Sequence, residues 1–212
     1  MAQPTHTKLL TAAARRILRP LGLRQRGSSR LWFADQGWWL IVVEFQPSGW
    51  SKGSYLNVGA MWLWFEKNHF SFDEGYRVES FAPFEDEAQF ASLAENLAER
   101  AADEITRLRS LFPSVEVAAH YLAAKSPKEL WESFHAGVAC GLSGYATLAK
   151  RFFSLVADTG DTRDWAQAVA SLARDYSLAV EDVSGFRCRI EQVIRRTRPL
   201  FKLAEDGDLG LY

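Results

Sequence analysis

Apolar and polar positions alternate with two different periods along the chain. Thr5 is followed by Leu9, Leu10, Ala13, Ile17 and Leu18, three or four residues apart. That spacing predicts an N-capped amphipathic helix, ended by Pro20 and Gly22. The period then shortens to two. Ser29–Ala34, Trp38–Gln46 and Tyr55–Glu66 are rich in Trp, Val, Ile, Phe and Tyr, which predicts three strands. Asp35-Gln36-Gly37 suits a hairpin turn between the first two, because glycine accepts positive φ. Tyr76–Phe81 predicts a fourth, weaker strand.

After Pro83 the period lengthens again. Phe90, Leu93, Leu97, Ala101, Ile105 and Leu108 predict one long helix over 85–111. Glu85-Asp86-Glu87 opens it, at the positive end of the helix dipole, and Pro113 stops it. Shorter helices are predicted over 114–124, 127–140, 144–158, 163–181 and 185–204, with Ser, Pro, Gly and Asp as punctuation between them. The expected fold class is α+β. An N-terminal helix lies on a three- to four-stranded antiparallel sheet, followed by a long helix and a C-terminal helical bundle. The expected division is a sheet module at 1–112 and a helical module at 113–212, able to pack as one domain.

Alternation also assigns faces. Trp39, Ile41, Val43 and Phe45 share a wholly apolar face with Leu56, Val58, Ala60, Trp62 and Trp64. On the opposite face Glu44, Gln46, Tyr55 and Asn57 make one end polar, and in an antiparallel hairpin these four side chains converge. Gly59 is expected to leave a gap beside them, so the group is a candidate pocket. The plainer reading is the solvated end of a half-covered sheet.

Composition narrows the classes. The chain has 212 residues, a formal charge of −1, 48% apolar and 24% charged residues. That is ordinary globular chemistry, neither a disordered chain nor a strongly cationic one. The longest apolar run, Trp38–Val43, is far short of a membrane span, and no secretory signal stands behind the first basic residues. Two cysteines, Cys140 and Cys188, fit a reducing cytoplasm, so a cytoplasmic location is expected. Charge is unevenly placed. Residues 1–30 carry seven bases and no acid, residues 71–112 ten acids and four bases, and residues 187–202 six bases and one acid.

Several phrases carry a resemblance. Ile17-Leu18-Arg19-Pro20-Leu21-Gly22-Leu23-Arg24-Gln25-Arg26-Gly27 is followed by Trp32-Phe33, Phe45-Gln46-Pro47-Ser48 and Leu56-Asn57-Val58-Gly59. Together they resemble the bacterial domain-of-unknown-function family numbered 4304, over roughly residues 8–66. Leu23 departs from the aromatic common there, and the long helical tail has no counterpart. The resemblance implies a fold and a bacterial origin, and supplies no catalytic residues. By analogy, small bacterial α+β domains of this kind often bind a cognate partner, as immunity proteins bind toxins.

Catalytic motifs are absent. There is no nucleotide-binding glycine loop, no nucleophile elbow and no zinc-type Cys or His spacing. Glu132 with His135, and Glu116 with His120, have ligand-like helical spacing but are too few for a di-iron bundle, so no metal and no cofactor are expected. Arg26-Gly27-Ser28-Ser29-Arg30 reads as a turn before it reads as a phosphate loop. Three surfaces remain. Asp73, Glu74, Glu79, Glu85, Asp86 and Glu87, interleaved with Phe70, Phe72, Tyr76, Phe81 and Phe84, suit a basic protein partner such as a toxin domain. Their plainer reading is a solvated face at a helix start. Arg195, Arg196 and Arg198 on the last helix suit nucleic acid, although the pI of about 6.4 lacks the bias of a typical binder. The third is the Glu44, Gln46, Tyr55 and Asn57 group, where an enzyme using Glu44, Gln46 and Asn57 is a weaker rival. The expected function is non-enzymatic protein binding, with nucleic-acid binding as the alternative.

Overall fold

The computed structural model describes residues 4–204 and 207–211. It is α+β. The chain divides into two compact units, Met1–Met61 with His69–Ser110, and Trp62–Asn68 with Leu111–Tyr212.

The first unit holds α1 (Thr5–Leu18), α2 (Glu87–Leu111) and a five-stranded sheet in sequential order. Its strands are β1 (Arg24–Gln25), β2 (Leu31–Asp35), β3 (Trp39–Gln46), β4 (Gly53–Trp62) and β5 (Glu74–Pro83). The sheet is antiparallel, with five strands instead of three or four. β1 has only two residues, too short to show a period, and pairs Arg24 with Phe33. Gly37 takes φ +84° in the β2–β3 turn, and Asp35 Oδ1 accepts its N–H at 2.9 Å.

Register fixes the faces. Trp32 pairs with Val43 and Ala34 with Ile41, and all four are buried. Leu56, Val58 and Ala60 continue that face, as alternation predicts. The apolar stripes of α1 (Leu10, Ala14, Leu18) and α2 (Phe90, Leu97, Ala101, Ile105) are buried in the same unit. Salt bridges tie Arg16 of α1 to Glu95 of α2 at 2.7 Å, and Arg100 of α2 to Glu79 of β5 at 3.1 Å.

His6 on α1 packs 5.5 Å from Phe84, ring to ring. Burial foremost, then the charges of Arg30 and Lys52, hold its pKa below the usual 6.5. The unfolded chain therefore binds the proton more readily. The stability this group contributes is present above pH 6.5 and is lost as pH falls through the lower folded value. Thermal midpoints read by circular dichroism between pH 7.5 and 5.0 are expected to fall slightly more for the wild type than for His6→Gln.

The second unit is helical: α3 (Val115–Ala124), α4 (Leu130–Leu142), α5 (Ala146–Ala157), α6 (Asp164–Ala179) and α7 (Val183–Thr197). α4 is its centre, with every residue from Ser133 to Leu142 buried. The stretch carries the small residues Ala136, Gly137, Ala139 and Gly141, beside two buried polar side chains, Ser133 and His135. Phe134, Phe153, Tyr176 and Phe186 close around it, with ring centroids 5.5–6.4 Å apart. Segment 62–68 joins this unit. Trp62 stacks on Trp64 at 5.1 Å, and Trp64 Nε1 donates to His135 Nδ1 at 3.0 Å. The last helix ends at Thr197 instead of 204. Pro199 cannot continue the helical ladder, and a 3₁₀ turn over Arg198–Phe201 follows.

Candidate functional site

The four polar residues predicted on the sheet face do converge. Gln46 ends β3, and Asn57 lies beside it on β4. Asn57 Nδ2 donates to Gln46 Oε1 at 3.0 Å and, more weakly, to Glu44 Oε2 at 3.4 Å. A fifth residue, Arg77 of β5, completes the group. Its Nη2 donates to Gln46 Oε1 at 2.8 Å and its Nε to Asn57 Oδ1 at 3.4 Å. Its guanidinium lies 4.1 Å from the Tyr55 ring centroid, and Tyr55 meets Phe81 at 5.1 Å.

Irregular pairing sets this arrangement. Ser54 pairs with Ala82, Leu56 with Glu79 and Asn57 with Arg77. β5 thus spends three residues against two of β4, then two against one. Such bulges re-aim side chains and also blunt an edge strand as a pairing template. Glu79 is left opposite Leu56, on the helix-covered face, and Arg77 opposite Asn57, on the open one. Alternation alone cannot show a bulge, so Arg77 had no signal in the sequence beyond its place in the weak fourth strand.

The gap expected at Gly59 does not exist. Gly59 pairs with Gly75, and a Cβ at Gly59 would lie 2.6 Å from the Glu74 carbonyl oxygen and 3.1 Å from the Phe72 ring. β5 and Phe72 fill that space, and glycine is there for close approach of two backbones. The polar group is therefore a surface whose members hold one another.

The loop between β3 and β4 presents an unusual side chain. Trp50 is 98% exposed. Its loop is nonetheless tied down. Ser48 Oγ accepts from the Trp50 N–H at 3.1 Å and the Ser51 N–H at 3.4 Å, and the Lys52 carbonyl accepts from Phe84 N–H at 3.0 Å. Gly53 closes the loop at φ +146°, where a Cβ would strike the Ala82 carbonyl oxygen at 2.2 Å. An indole is thus held out into water by a braced hairpin, at the end of the two strands that carry the polar group.

The acidic residues are not one cluster. Glu74 begins β5 and Glu85 lies beyond its end, a run of about 36 Å in extended chain. Asp73 accepts from Ser71 Oγ at 2.8 Å, and Glu79 is held by Arg100. Asp86 caps α2 by accepting the Gln89 N–H at 2.9 Å, while the Gln89 amide reaches back to Pro83 and Glu85. That local capping explains the acids at the helix start. Glu85 and Glu87 remain exposed.

The basic helix is largely engaged as well. Arg198 is 1% exposed and donates Nε to the Ala204 carbonyl at 2.8 Å, which removes it from any surface contact. Arg195 bonds Glu191 one turn earlier at 2.7 Å, and Arg196 bonds Glu66 at 3.3 Å.

Other candidates resolve into structure. His135 is buried against Trp64 and Trp131, while Glu132 is exposed. Tyr145 Oη donates to Glu116 Oε1 at 2.8 Å and lies 3.1 Å from His120 Nε2. Among the described residues no three His, Cys, Asp or Glu side chains are grouped to hold a metal. Ser143 ends α4, its Oγ donating to the Ala139 carbonyl, and does not cap the next helix. Cys140 is buried, which pushes its thiol pKa to about 11, and Cys188 is exposed. Ellman's reagent is expected to titrate one thiol per native chain and two after denaturation; two fast native thiols would contradict the packing of α4.

No family model, no curated protein and no solved structure matches the chain. No helix among the described residues is long and apolar enough to cross a membrane.

Proposed function

We propose that the chain is a non-enzymatic protein-recognition module, acting by stoichiometric cover of a partner's surface in the manner of an immunity protein. The observation that carries this reading is Trp50, 98% exposed on a braced hairpin beside an ordered group of Tyr55, Arg77, Gln46 and Asn57. Exposing an indole costs solubility and contributes nothing to the fold it leaves. Trp, Tyr and Arg are also the residues that dominate binding energy at protein interfaces. Tyr55 and Arg77 are held by each other and by Gln46 and Asn57 before binding, so little of their side-chain entropy remains to be lost. Glu44 accepts a single 3.4 Å bond and keeps open lone pairs, while Arg77 offers a guanidinium fork. A partner that matches this face presents both a donor and an acceptor around an apolar slot for the indole. The acidic residues Glu85 and Glu87 add long-range attraction for a basic partner, such as a toxin domain, and not the contact itself.

The test is quantitative affinity capture from the native host with nuclease present. Wild type is compared with a Trp50→Ala/Arg77→Ala double variant of unchanged circular dichroism. One protein recovered near equimolar with wild type and lost with the variant supports the reading. Equal recovery with both, or nucleic acid as the only bound species in a nuclease-free control, refutes it.

A further inference from the structure

The second unit holds a cleft of about 330 Å³ between the segment 62–68, α6 and α7. That volume suits a small molecule. Phe65 is its accessible aromatic residue, since neighbouring Trp64 is fully buried; Tyr176, Arg189, Arg196 and Glu66 line it too.

Tyr176 is the informative residue. It is 2% exposed, clamped by the rings of Phe134, Phe153 and Phe186. Its hydroxyl makes no hydrogen bond to any described residue. Burial raises its pKa; the charges of Arg189 and Arg196 oppose that rise and the charge of Asp175 adds to it.

Neither arginine is saturated. Arg189 lies over the Tyr176 ring at 4.7 Å, and its nearest carboxylate oxygen, on Asp175, is 4.0 Å away. Arg196 spends Nε on Glu66 at 3.3 Å, in a pair with both side chains more than half exposed. Such a pair is weak in water and yields readily to a competing anion. Two guanidinium forks and one phenol donor converge beside Phe65, with Glu66 in the lining and Asp175 4.0 Å from Arg189.

We infer that this cleft binds a small organic anion, its phosphate or carboxylate held by Arg189, Arg196 and the Tyr176 hydroxyl and its body laid against Phe65. The inference is independent of the sheet-face reading, which uses residues of the other unit.

Isothermal titration of the full chain in low-salt, phosphate-free buffer tests it. The probes are adenosine 5′-monophosphate, benzoate, and uncharged adenosine as control. At least one of the two anions is expected to bind with a Kd below about 1 mM, and adenosine at least ten-fold more weakly than its monophosphate. Arg196→Gln is exposed and leaves the fold alone; Tyr176→Phe keeps the ring. Each is expected to weaken the bound anion about ten-fold or more. Binding by neither anion at that level overturns the inference, as does adenosine binding as tightly as its monophosphate. An affinity unchanged by Arg196→Gln overturns it as well.

Discussion

Trp50→Ala is expected to weaken partner binding about thirty-fold or more while leaving the melting temperature unchanged. The two halves of that expectation have one cause. At 98% exposure the indole makes almost no contact with its own chain, so its removal withdraws nothing from the folded state. A bound indole can bury 150–250 Å² by the usual range for aromatic side chains, enough for a loss of about 2 kcal/mol or more at an interface hot spot. That energy corresponds to about thirty-fold in Kd. Arg77→Ala is expected to act differently. It removes the donors to Gln46 and Asn57 and uncovers the Tyr55 ring, so it loosens the group as well as deleting a contact. The two losses are expected to be non-additive, because both residues serve one face. Surface plasmon resonance with the captured partner, beside thermal melts of each variant, reads both quantities.

The second large effect falls on stability. Gly137→Ala is expected to cost about 1–3 kcal/mol, by overpacking a filled core. A Cβ at Gly137 would lie 2.6 Å from Phe153 Cε1 and 2.7 Å from Cδ1, and nearby Gly141 meets Phe186 at 2.5 Å in the same way. Helical propensity alone argues the reverse, since Ala is favoured over Gly by about 1 kcal/mol in a helix interior. The steric term wins because α4 is enclosed on all sides and the rings of Phe134, Tyr176 and Phe186 leave Phe153 nowhere to turn. Phe153→Leu, destabilising by itself, is expected to cost less in the Gly137→Ala background. A urea double-mutant cycle measures that coupling. Stabilisation by Gly137→Ala alone would show that the helices can part without loss.

Much of this was written in the spacing of apolar residues. The three long strands, the hairpin at Gly37 and each of the long helices follow from period and punctuation, because those signals are local. The convergence of Glu44, Gln46, Tyr55 and Asn57 was legible for the same reason, since period two and a short loop fix it. What stayed hidden depends on register and on contacts distant in sequence. Arg77 enters the group through bulges in β5, and Gly59 faces Gly75 instead of a void. Glu79 turns to Arg100, and Arg198 is drawn inside by the carbonyl of Ala204. The excursion of Trp62–Asn68 into the helical unit is likewise invisible to a linear division of the chain. Charge runs misled most. Acids adjacent in sequence proved to be a cap, an ion pair and an extended strand, each with its own local reason. Trp50 showed the opposite case, an aromatic in a turn-rich loop whose exposure no pattern of alternation predicts.

A partner is expected to sit on the sheet face around Trp50. Site-specific photo-crosslinking in the native host tests that directly. A benzoylphenylalanine replaces exposed Ser51, next to Trp50, in one variant and Leu178, 82% exposed in the helical unit, in another. One adduct of defined mass is expected from position 51, absent from position 178 and competed by excess wild-type chain. No adduct from position 51, or the same adduct from both positions, would contradict a partner seated there.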